Sequence, residues 1–133
     1  MLTNIHIARI RFAMQDTKSS DDLLASWTAL RDRLLAMNPD IDQGRMMSAD
    51  ALTYKGRVFA FFSTKGGRIG LGCRVGRDTN LGQFNLSDWQ HLAPFKSKPP
   101  MKDWIVVGSG NLELWGVLAE HCLNTLRNGK DTR

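Results

Sequence analysis

Three lysines, Lys96, Lys98 and Lys102, fall within seven residues on a stretch stiffened by Pro94, Pro99 and Pro100 and bracketed by Phe95 and Trp104. Ammonium groups neutralise phosphates, and aromatic faces stack on bases, so a stiff cationic segment flanked by aromatics suits a nucleic-acid backbone. The same residues would also serve a rigid connector whose rings plug into the core while its lysines stay wet. A second segment, Gly44-Arg45-Met46-Met47-Ser48, offers Arg45 as a cap, an ion-pair partner or an anion contact. Its methionine pair suits core filling or an adaptable contact surface.

Other chemistries find little support. Gly67-Arg68-Ile69-Gly70-Leu71-Gly72 lacks the glycine spacing and the following helix of a dinucleotide fingerprint, and no P-loop Gly-Lys-Ser/Thr is present. Glycines there are expected to mark close approach by a neighbouring chain segment. His121 and Cys122 are adjacent, about 100° apart on a helix, and no His or Cys pair has a ligand spacing, so no metal site is expected. No nucleophile comes with an activating base, and no carboxylate pair suggests acid–base work. The expectation is a protein that is not an enzyme and carries no cofactor.

Charge points the same way. The net charge is +5, but residues 1–44 carry −1, residues 45–103 carry +6, and residues 104–133 are neutral. A clustered positive excess favours a polyanionic partner, nucleic acid above all, unless it only solubilises a face. The candidate nucleic-acid contacts are therefore Arg45, Lys55, Arg57, Arg68, Arg74, Lys96, Lys98 and Lys102. With 133 residues, 42% apolar and 23% charged, the chain fits one globular domain. Cys73 and Cys122 read as reduced thiols, and His6, Arg9 and Arg11 interrupt any apolar leader, so a cytoplasmic protein is expected. Its longest apolar run, Val58 to Phe62, is too short to span a bilayer.

The elements that position these residues follow from periodicity. Residues 1–18 form an arm with strand-like alternation whose phase shifts at Ala8-Arg9, residues 19–128 the domain, and 129–133 a short tail. Ser19 or Ser20 caps a first helix with Leu23, Trp27, Leu30, Leu34 and Met37 on one stripe, ended by Asn38-Pro39. Leu52–Tyr54 and Val58–Phe62 form a hairpin across Lys55-Gly56. Strict alternation would set Phe59 and Phe61 on one face and Val58, Ala60 and Phe62 on the other, both covered. Residues 68–75 complete a meander, with Ile69, Leu71, Cys73 and Val75 on one face. Residues 76–103 read as irregular, Trp104–Val107 as a last strand, and Asn111 as the cap of a closing helix with Trp115, Leu118, Cys122 and Leu126 on its stripe. A pocket between helix and sheet would be lined by Trp27, Phe61 and Trp115.

The lead-in Arg45-Met46-Met47, the hairpin Tyr54-Lys55-Gly56-Arg57-Val58-Phe59-Ala60, and Pro94-Phe95 through Pro100-Met101 to Trp104 resemble the TfoX N-terminal-like family and its wider MmcQ/YjbR-like group. The closing helix, with Trp115, Leu118 and Ala119, is similar to the family's C-terminal helix, and the likeness covers roughly residues 20–127. It implies an α+β fold, an antiparallel sheet with N- and C-terminal helices packed on it, and it brings no catalytic residues. Members are associated with regulation of competence genes. The resemblance thus implies a regulatory module that touches nucleic acid or a transcription-related protein. The residue reading leaves open a protein-interaction or homodimerisation module with no nucleic-acid role.

Overall fold

The computed structural model describes residues 19–65, 68–95 and 97–129. The expected N-terminal arm and all but the first residue of the tail lie outside them. Helix α1 runs Ser20–Met37, capped by the Ser19 hydroxyl, which accepts from the Asp22 amide at 3.2 Å, with Asp21 and Asp22 at its positive end. Leu23, Trp27, Leu30 and Leu34 are buried, as their spacing predicts, whereas Met37 in the last turn is 65% exposed.

Six strands follow: β1 (Ile41–Met46), β2 (Ala49–Tyr54), β3 (Arg57–Ser63), β4 (Gly70–Arg74), β5 (Trp89–Leu92) and β6 (Met101–Val107). Helix α2 (Trp115–Arg127) closes the fold, with Trp115, Leu118, Cys122 and Leu126 all buried. Every strand pairing is antiparallel, in the order β1-β2-β3-β4-β6-β5. The fold is α+β, with both helices packed on one face of the sheet. Among the described residues no helix is long and apolar enough to cross a membrane.

Several expectations are corrected. The meander gains β1, an edge strand, and the region expected to be irregular contains β5 and the first residues of β6. Asn111 does not cap α2. It sits inside a 3-10 helix (Ser109–Leu114) with non-helical backbone, and its Oδ1 accepts from the amides of Ser87 and Asp88 at 2.9 and 2.6 Å. The strict alternation of β3 also fails. Leu52 pairs with Ala60 and Thr53 with Val58, so Phe59 is an extra residue in a β-bulge. The bulge turns Phe59 towards the helices with Ala60 and Phe62, and sends Val58 and Phe61 to the other side.

That other side has its own small core: Ala51, Phe61, Leu92, Trp104 and Val106. Phe61 is 2% and Trp104 7% exposed although neither helix lies over them. They bury each other edge to face, with ring centroids 5.6 Å apart. Gly72 lies under the Phe61 ring, where a Cβ would collide with it. A second register break, between His91 and Leu92, adds to the coiling. Bulges increase local twist, so the sheet curls over this face and covers it with its own residues. Trp27, Trp115 and Phe61 therefore do not share a pocket: the tryptophans are packed in the helix-side core and Phe61 points the opposite way.

Candidate nucleic-acid interface

Strand direction decides where each cation sits. The β2–β3 turn, the end of β4, the segment between β5 and β6, and the start of β1 all lie at one end of the sheet. Lys55 and Gly56 make that β2–β3 turn with φ of 49° and 79°, the positive values that a two-residue type I′ hairpin demands. Lys55, Arg57, Arg74, Lys98 and Lys102 therefore gather at this end. Arg45 and Arg68 lie at the opposite end, and Lys96 is outside the described residues.

The two outliers are engaged in the fold. Arg45 donates from Nη1 to the Ser48 carbonyl at 3.0 Å, tying off the β1–β2 turn. Arg68 is half-buried, ion-paired to Asp88, and donates from Nε to Gln90 Oε1 at 3.2 Å. Asp88 in turn accepts from the Gly110 amide at 2.8 Å through Oδ2, while its carbonyl accepts from the Gly108 amide at 2.9 Å. A Cβ on Gly110 would stand 2.8 Å from the Asp88 Cβ, so this clasp needs the glycine. Arg68 is read best as part of a structural clasp between the start of β5 and the end of β6.

At the gathering end the cations lie near aromatic rings and several carboxylates: Asp103 beside Arg74 and Arg77, Asp78 close to Arg77, and Asp40 within reach of the Lys55 charge. The Lys55 ammonium lies 5.4 Å from the Tyr54 ring centroid, and that of Lys98 lies 5.3 Å from the centroid of Phe95. Phe95 is 53% exposed, so this ring faces solvent, against the connector reading in which it would plug into the core. Trp104 at the other end of the segment is buried, as the connector reading requires. Asp103 accepts from Arg77 Nε at 2.9 Å and lies 3.8 Å from Arg74 Nη2. Its carbonyl accepts from the Gly76 amide at 3.0 Å, which fixes the turn that carries Arg77. The hydrogen bond to Asp103 raises the Arg77 guanidinium above the ordinary arginine value, so it stays charged at any working pH. Arg74, Arg77, Lys102, Met101 and Trp104 line an open depression of about 570 Å³ beside Asp103.

Arg77 was not among the expected contacts. In sequence it sits in a turn-like Gly76-Arg77-Asp78, and nothing there reveals that β4–β6 pairing carries it to Asp103. Chemically the end can hold phosphates through fixed guanidinium and ammonium groups and stack a ring on Phe95. Among the described residues no group of three or more His, Cys, Asp or Glu could hold a metal ion. Comparison with known protein families, curated proteins and solved structures yields no match to this chain.

Proposed function

We propose that the chain is a non-enzymatic module of the TfoX N-terminal-like kind, a transcription-related part that contacts nucleic acid through the Lys55 end of its sheet. The observation that carries this reading is the placement of Lys55, Arg57, Arg74, Arg77, Lys98 and Lys102 at one end of the sheet, with Lys98 over the exposed ring of Phe95. The cations supply sequence-independent attraction to phosphates. An exposed ring can stack only on a base that is not already paired, which favours single strands over duplex. The reading places the protein in the cytoplasm, where Cys73 and Cys122, both buried and unlinked, remain thiols.

Fluorescence anisotropy with a short labelled single strand and the matching duplex tests it. Binding at about 50 mM salt should fall steeply by about 200 mM. Phe95→Ala should weaken the single strand by roughly 1–3 kcal/mol and the duplex much less. Absence of binding to either probe at about 50 mM salt rules the reading out.

A further inference from the structure

The self-covered face of the sheet holds a cleft of about 250 Å³ that the nucleic-acid reading does not use. Its walls come from diagonally opposite corners, brought together by the coiling: the β1–β2 turn on one side, Leu92 and Pro94 on the other, with Phe61 between. Met46, Ala49, Phe61, Leu92 and Pro94 make it apolar. Ser48, Ser63 and Thr64 form part of a polar rim, and among the described residues Lys65 is the one charged residue lining it.

The lip is strained. Met47 and Ser48 take φ of 50° and 72°, consecutive left-handed residues in a turn where Asn-Gly is the preferred pair. The Arg45–Ser48 hydrogen bond holds that conformation, and it leaves Met47 41% exposed at the cleft's edge. Strained backbone that the surroundings enforce clusters at ligand sites, and methionine suits a surface that must mould itself to an apolar guest. The volume falls just under the roughly 300 Å³ at which pockets for drug-sized molecules begin.

We propose that this cleft binds a small amphipathic carboxylate, its apolar tail laid against Met46, Ala49, Phe61 and Leu92 and its carboxylate at the Lys65 ammonium. The choice of an anionic head rests on charge: a cationic head would face Lys65, and among the described residues lining the cleft there is no carboxylate to offset it. The proposal does not depend on nucleic-acid binding, because none of the cations at the Lys55 end lines the cleft.

The probe is octanoate, titrated into the full chain carrying ¹³C-methyl methionine, with octylamine, octanol and acetate as comparisons. Saturable shifts of the Met46 and Met47 methyls are expected with octanoate and none with acetate. Octylamine should bind at least several-fold more weakly. Lys65→Gln should weaken octanoate several-fold while leaving octanol unchanged. Ala49→Phe, which fills the cleft, should abolish binding of every tailed probe, with the amide spectrum reporting that the fold persists. Should Ala49→Phe unfold the chain, Met46→Phe fills the same space from the strand end and serves instead. No saturable methyl shift at millimolar octanoate overturns the proposal, as does equal binding of octylamine. Methyl shifts that depend on protein concentration alone would show a second copy of the chain in the cleft, and would overturn it too.

Discussion

Asp50 and Asp103 are each a carboxylate met by arginine, yet their surroundings give them opposite work. Asp50, on β2, accepts from Trp27 Nε1 at 2.8 Å, Arg31 Nη1 at 2.7 Å and Gln43 Nε2 at 2.7 Å. Two donors come from α1 and one from the edge strand β1, so a single carboxylate joins helix and sheet. Asp103 holds a largely covered Arg74 and a solvent-facing Arg77, with exposed Lys102 next to it in the chain. At Asp50 the carboxylate accepts from an indole that the fold has taken from water altogether, a part-buried guanidinium and an exposed amide. At Asp103 it subtracts one charge from a cluster whose outer members, Arg77 and Lys102, face solvent while Arg74 and the carboxylate itself are mostly covered. The same pair of residue types is a structural joint in one place and an electrostatic counterweight in the other.

Removing Asp50 should give the largest effect. Asp50→Ala leaves the fully buried Trp27 indole N–H without its acceptor and the Arg31 guanidinium without its half-buried partner. Unsatisfied groups of this kind cost about 1–3 kcal/mol each, more when charged, so a loss of about 3 kcal/mol and a drop of roughly 10 °C in Tm are expected. Calorimetry checks this. Affinity for a labelled single strand should not change, and a large affinity loss in the folded variant would erase the distinction between the two sites.

The two sites were not equally legible in the sequence. Both helices announce themselves because their apolar residues repeat at helical spacing over three turns or more, and Ser19 marks where the first begins. The hairpin turn at Lys55-Gly56 is legible for the same local reason. By contrast β1 buries only Ile41, and the rest of Asp-Gln-Gly-Arg-Met carries no alternation, as an edge strand's exposed residues need not. The bulge at Phe59 is invisible because a run of five apolar residues satisfies either phase. The basic end was legible as residue types, through the lysines and Phe95, but its geometry was not. Arg77 and Asp103 meet across 26 positions only because β4 pairs with β6. Asp50 carried no sequence signal, since its partners lie on a helix and a strand whose packing decides the contact.

Neutralising the counterweight comes next in size. Asp103→Asn keeps an acceptor for Arg77 and removes one negative charge from the basic end. Single-strand affinity at about 50 mM salt should rise several-fold, and the plot of log affinity against log salt should steepen by about 0.7, the value of one extra phosphate contact on a single strand. Stability should fall by about 1–2 kcal/mol, because the mostly covered Arg74 loses part of its charge partner while the amide keeps an acceptor for Arg77. Unchanged or weakened binding would mean that Asp103 orients its arginines for the ligand rather than opposing it.

The smallest effect separates the carboxylates by titration. Burial pushes the Asp50 carboxyl up, but the hydrogen bonds from Trp27, Gln43 and Arg31 outweigh it, and the group lies below its ordinary value. A folded-state value below the unfolded one means the unfolded chain binds the proton first as pH falls. Asp50 therefore contributes its stabilisation fully above the unfolded value, near 3.9, and loses it as pH drops through the lower folded value. Denaturant melts across that acidic window should show the wild-type chain weakening with at most one extra proton taken up at this site. In Asp50→Asn that component should vanish and the slope of stability against pH should flatten. In Asp103→Asn the Asp50 component should remain. If the acid slope instead follows Asp103→Asn and ignores Asp50→Asn, then the Asp103 cluster is the structural joint, and the assignment of roles is reversed.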